Sequence, residues 1–230
     1  MVTVTEIIDF IAIHYDWLSL FVIILVFSLL SMRYFRNKKK DREPIILLLI
    51  AVGLGVISVV PSLLLSIILL LFIPQSYGTI VVAPIAEEIG KGMFVGIIAW
   101  TRLIDDPLDG LVYGAMVGTG FAAAENFLYA YQALTTQGLV SGIFVVSFRS
   151  AFQIIGHPLY AGVTGYGIGL YKKGLVNHKY GKIWYAMILH ALWNTTSIIA
   201  AQYWLISFVG VLLFSIIILR IIISRAQVKS

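Results

Sequence analysis

The sequence predicts an all-α membrane protein, a polytopic bundle of about seven transmembrane helices around an intramembrane cavity, in one integral membrane domain over residues 1–230. Three observations predict it. Of the residues, 60% are hydrophobic and only 12% charged, against about 45–50% and about 25% in soluble domains. Seven stretches approach the roughly 20 apolar residues that cross a bilayer. Lysine and arginine alternate from loop to loop as they do in membrane topologies.

The seven stretches are 17–33, 44–73, 79–100, 108–133, 139–170, 183–200 and 203–223. The second carries Pro61 and the fifth Pro158, so each is expected to be kinked or broken. Residues 3–14 are expected to form a short interfacial helix. Glu6 and Asp9 lie where a signal peptide would have its basic region, so none is expected. With no cysteine there is no disulfide framework, thiolate metal site or cysteine nucleophile.

Arg33, Arg36, Lys38, Lys39, Lys40 and Arg42 follow the first stretch and Arg102 the third. Lys172, Lys173, Lys179 and Lys182 follow the fifth, and Arg220, Arg225 and Lys229 close the chain. The intervening loops near 74–78, 134–138 and 201–202 have neither residue type. Seven crossings then put the N-terminus outside and the C-terminus in the cytoplasm. The basic loops read as topology signals in contact with anionic lipid, not as a nucleic-acid surface.

A charge at the centre of a span costs at least about 2.5–3.5 kcal/mol. Glu87, Glu88 and Lys91 of the third stretch accept that cost, with Glu125 of the fourth, Arg149 and His157 of the fifth, and His190 of the sixth. Asn126, Gln153 and Asn194 accompany them. At about 1.5 Å per residue, Glu87, Glu88 and His190 lie within about 4 Å of mid-span, His157 about 4 Å and Glu125 about 7 Å from it. Arg149, Gln153 and His157 recur at i, i+4, as do His190 and Asn194. Gly110, Gly114 and Gly118 put small residues on the face of Glu125, which turns it toward a neighbouring helix. Singly, each residue has a plain structural reading: a Glu87–Lys91 ion pair, an interhelical histidine, an arginine neutralising carboxylates, an asparagine between helices. Four helices bringing ionisable groups to one depth favour a functional site.

At these residues the chain resembles a known family. The third stretch reads Glu-Glu-x-x-Lys (Glu87, Glu88, Lys91), the fourth Phe-x-x-x-Glu (Phe121, Glu125), the fifth has His157, and the sixth reads His-x-x-x-Asn (His190, Asn194). Over about 78–200 this ordered set looks like the PrsW family of membrane proteases, relatives of the CAAX prenyl endopeptidases. Lys91 stands one residue closer than the CAAX arginine, and Glu125 replaces a histidine, which argues for the PrsW type. The resemblance implies hydrolysis of a peptide bond in a membrane-anchored protein substrate, in a prokaryotic cell membrane. In bacteria that type is associated with cleaving membrane-bound anti-sigma factors.

No serine sits in a nucleophile elbow, so water is the expected nucleophile. Glu87 or Glu88 suits a general base, with Lys91 one turn away. Glu125, His157 and His190 suit a catalytic Zn²⁺, which takes three protein ligands and an open position. In an equally open metal-free version the glutamates activate water while His190 and Asn194 donate to the oxyanion. Arg149, Asn126 and Gln153 are expected to support either. A proton-coupled transporter or a non-catalytic binding or immunity protein are the competing readings.

Overall fold

The computed structural model describes residues 4–229, with side chains described for 15–198, 209–210 and 212–229. All regular structure among them is helical: α1 (Val4–Arg36), α2 (Ile45–Ile57), α3 (Val59–Leu70), α4 (Ala83–Trp100), α5 (Pro107–Gln137), α6 (Leu139–Ala151), α7 (His157–Lys172) and α8 (Ile183–Lys229).

Local chemistry sets the breaks. Pro61 cannot donate to the carbonyl four residues back, and the second stretch divides into α2 and α3 at Ser58. Pro84 has the same effect, and a π-helical turn over Gly78–Val82 leads into α4. The Asp106 carboxylate caps α5, accepting from Leu108 N (2.7 Å) and Asp109 N (2.9 Å), with Pro107 in the first turn. Gly138, at φ +87°, separates α5 from α6. Gly156 and Pro158 break the fifth stretch, and a short 3₁₀ turn over Gln153–Ile155 links α6 to α7 across a 50° bend.

Among the described residues, two helical stretches, Tyr15–Arg36 and Ile45–Leu70, are by themselves long and apolar enough to cross a bilayer, and the bent α6–α7 pair is a third if it is counted as one span. The expected interfacial helix is not a separate element, since α1 runs from Val4 into the first stretch; residue 3 and the side chains before Tyr15 lie outside those described. The sixth and seventh stretches form one element, α8, because no glycine or proline stands between Ile183 and Val209. Yet both of its ends meet the same end of the bundle. Lys182 packs on Gly167 of α7, while Gln227 Nε2 donates to the Lys38 carbonyl. Lys39 pairs with Asp109 of α5, and Asp106 abuts Gly169 of α7. A straight helix would part Lys182 and Gln227 by about 68 Å, so α8 bends back toward the end from which it starts.

Polarity is reversed relative to a soluble protein. Outer faces present Leu63, Leu64 and Ile67 of α3 and Val140, Phe144 and Phe148 of α6, whereas Glu88 and Lys91 are fully buried. Helix α5 is the central strut: Gly55 of α2 and Gly120 of α5 bring those two backbones together, while Gly110, Gly114 and Gly118 lie on the carbonyls of Gly165, Ala161 and His157 of α7. Small residues permit such approach where lipid supplies no hydrophobic drive between helices.

At the basic end of the bundle, Lys39 pairs with both Glu43 (2.9 Å) and Asp109, and the Tyr113 hydroxyl donates to Glu43 (2.7 Å). This ties the α1–α2 loop to α5. Burial pulls the Lys39 ammonium down, but its two acidic partners outweigh that and hold it above the ordinary lysine range. Burial pushes Glu43 up, but the Lys39 and Tyr113 hydrogen bonds hold it below the ordinary carboxylate range.

Candidate active site

Four helices deliver the polar residues to one point. From α4 come Glu87, Glu88 and Lys91, from α5 Glu125, from α7 His157 and from α8 His190. Each histidine is held on one ring nitrogen by a glutamate. His157 Nε2 donates to Glu125 Oε2 (2.8 Å), and His190 Nδ1 donates to Glu88 Oε1 (2.9 Å). A carboxylate only accepts, so these partners fix both tautomers. The remaining nitrogens, Nδ1 of His157 and Nε2 of His190, therefore carry lone pairs. Both face Glu87 Oε2, each at 3.8 Å. That oxygen is buried and has no hydrogen-bond partner.

The trio Glu87, His157 and His190 fits a metal. Its three donor atoms lie within 4.8 Å of one another. The 3.8 Å separations approach the about 3.4 Å edge of a tetrahedron with bonds of about 2.1 Å. In this grouping Glu87 stands beside the two histidines, while Glu125, expected as a ligand with them, bonds His157 Nε2. Glutamates behind ligating histidines orient the rings and raise their basicity.

Lys91 is the internal cation. Its Nζ donates to Glu88 Oε1 (2.5 Å) and to the lone pair of His157 Nδ1 (2.8 Å), and lies 4.4 Å from the centre of the Phe121 ring. Phe121 also flanks His157, with ring centres 5.0 Å apart. The motif phenylalanine is thus a wall of the site.

The supporting residues divide. Arg149 Nη2 donates to Glu125 Oε2 (2.7 Å) and Arg149 Nε to Asn126 Oδ1 (2.9 Å), while Asn126 donates to Ser150 Oγ (3.2 Å). Arg149 therefore holds Glu125, and Asn126 holds Arg149. Gln153 does not join the cluster. The chain break before His157 resets the helical phase, and Gln153 points to Thr119 O (3.4 Å) and Ser28 Oγ (3.5 Å). Asn194 donates to the carbonyl of Thr79 (2.9 Å), in the turn that leads into α4. It clamps the helix of His190 to the helix of Glu87 and Glu88.

The sequence reading missed one site residue. Tyr160, one turn after His157, stacks on His190 with ring centres 5.1 Å apart and 18° between planes. A tyrosine in an apolar helix reads as core, and only its i, i+3 spacing from His157 hinted otherwise.

Residues 43–221 match the profile of the PrsW family intramembrane metalloprotease. Among curated relatives, Protease PrsW of Clostridioides difficile is 28% identical over 163 residues, 67% of each chain. Protease PrsW of Geobacillus kaustophilus is 26% identical, over 70% of this chain and 69% of its own. That of Oceanobacillus iheyensis is 27% identical, over 73% of this chain and 77% of its own. No solved structure matches the chain. Neither the transporter nor the non-catalytic reading gains support from these relatives.

Proposed function

Since the chain belongs to the PrsW family of intramembrane proteases, we propose that its peptidase centre is the Glu87–His157–His190 trio, holding a zinc ion and acting on a membrane-anchored protein. One observation carries this: the second ring nitrogens of two carboxylate-held histidines converge on a buried glutamate oxygen that accepts no hydrogen bond. When bound, the metal would polarise the scissile carbonyl and lower the pKa of water.

The protein groups perform the rest. Glu125 and Glu88 fix the tautomers of the two imidazoles and aim them. Glu88 has Oε1 occupied by Lys91 and His190, and its buried Oε2 has no partner. This oxygen is suited to take the proton of the attacking water and return it to the leaving amine. Arg149, itself held by Asn126, fixes Glu125 from outside, and Asn194 fixes α8 against α4.

One contact favours a metal-free variant: Lys91 Nζ already occupies the lone pair of His157 Nδ1. In that variant Glu87 is the base and Lys91 organises the carboxylates. Metal content decides between them. Elemental analysis of purified wild-type protein, beside cleavage of a membrane-anchored peptide, is expected to show stoichiometric zinc that is lost in Glu87→Gln and His157→Ala together with activity. Full cleavage by zinc-free protein would leave the metal-free arrangement.

The return of α8 to its starting end supports two crossings there and seven in all. The lysine-rich segments around Lys38 and Lys182 and the residue Arg225 gather toward that end, which supports reading it as cytoplasmic and the N-terminus as outside. Reporter fusions at the two termini are expected to read on opposite sides. Both on one side would exclude seven crossings.

A further inference from the structure

The cleavage reaction needs a donor for the oxygen that gains charge when water adds to the scissile carbonyl. The polar donors around the cluster are mostly committed. Lys91 serves Glu88 and His157, Arg149 serves Glu125 and Asn126, and the Asn194 amide serves Thr79. Among the described residues, two buried hydroxyls have no partner, Tyr160 and Thr164, both on α7. Of these, Tyr160 belongs to the site. It is 1% exposed, its ring stacks on His190, and its centre lies 5.9 Å from that of His157 at 75°. A buried tyrosine packed on two histidines, with no acceptor for its hydroxyl, is ready to bond a group that arrives from outside the chain.

We propose that the Tyr160 hydroxyl is a catalytic residue that donates a hydrogen bond to the scissile carbonyl oxygen of the substrate. The inference rests on the protease site described above. Water oxygen bonds to the carbonyl carbon, and the carbonyl π electrons move onto oxygen, where Tyr160 O–H stabilises them without transferring its proton. On collapse the C–N bond breaks, and the proton taken from water goes to the departing nitrogen. The ring keeps His190 in its plane throughout, so one side chain both backs a histidine and faces the substrate.

Tyr160→Phe isolates the hydroxyl, because the stack on His190 is retained. With a membrane-anchored peptide substrate, kcat is expected to fall about 10²–10³-fold, with KM, melting temperature and bound zinc unchanged. Wild-type kcat in Tyr160→Phe would overturn the proposal. So would loss of zinc or a lowered melting temperature in step with activity, since either would make the hydroxyl structural. Glu87→Gln, assayed alongside, separates the two levels. Its full activity would remove the site assignment and this proposal with it, whereas an unaffected Tyr160→Phe beside an inactive Glu87→Gln removes only the role of the hydroxyl.

Discussion

Replacing Gly118 by alanine tests whether the contact between α5 and α7 sets the position of His157. A Cβ at Gly118 would stand 2.2 Å from the His157 carbonyl oxygen, where side-chain carbons keep at least 3.0 Å. The opposing atoms are backbone, so no side chain can swing away. The two helices must part by about 0.8 Å at the level of the histidine. Overpacking of this kind costs about 1–3 kcal/mol, and a misplacement near 1 Å in a catalytic group costs about 10²-fold in rate. Gly118→Ala is therefore expected to lower kcat about 10–100-fold while the protein still inserts, with KM little changed. Gly53→Ala is the matched control, since a Cβ there meets nothing within 4 Å; it is expected to retain activity. Kinetics of both variants on one membrane-anchored peptide, with melting temperatures in the same detergent, make the comparison. A Gly118→Ala enzyme with wild-type kcat would refute the reasoning, because His157 would then hold its place without the glycine contact.

Glu125→Gln keeps the size of the side chain but weakens its grip on His157, and is expected to lower zinc affinity about 10–100-fold, read by titration with a competing chelator. Arg149→Ala, one step further out, should change zinc affinity less than Glu125→Gln. Asn194→Ala frees α8 from the turn before α4 and should lower the melting temperature and kcat together. Glu43 is held below its ordinary range by Lys39 and Tyr113 against burial, so its stabilisation is present above the ordinary carboxylate pKa and lost as pH falls through the lowered value. Melting temperatures measured on acidification should therefore drop more steeply in the wild type than in Glu43→Gln, and parallel curves would contradict the tether.

Much of the site was legible because charges in hydrocarbon are costly and helical spacing is regular. Glu87, Glu88, Lys91, Glu125, His157 and His190 meet as their depths and faces suggested, and Arg149 reaches a carboxylate. What spacing could not give was which glutamate takes which histidine nitrogen, since that depends on the rotation of α4 against α5 by a fraction of a turn. Gln153 left the site for a local reason: Gly156 and Pro158 interrupt the helix, and the i, i+4 rule does not cross a break. The continuity of α8 was hidden by the habit of reading each 20-residue apolar run as its own helix. Only the missing glycine or proline near Gln202 told against it. The Lys39–Glu43–Asp109–Tyr113 tether joins residues about 70 positions apart, a pairing no local pattern contains.

The glycine contacts of α5 and α7 have a mechanical consequence. Backbones in direct contact at Gly110, Gly114 and Gly118 leave no slack, so these two helices travel as one rigid body. Helix α6 joins α7 across the 50° bend, beside that rigid pair. Its Arg149 is latched to Glu125, which holds His157. A displacement of α6 would therefore reach, through Arg149, the carboxylate that orients His157.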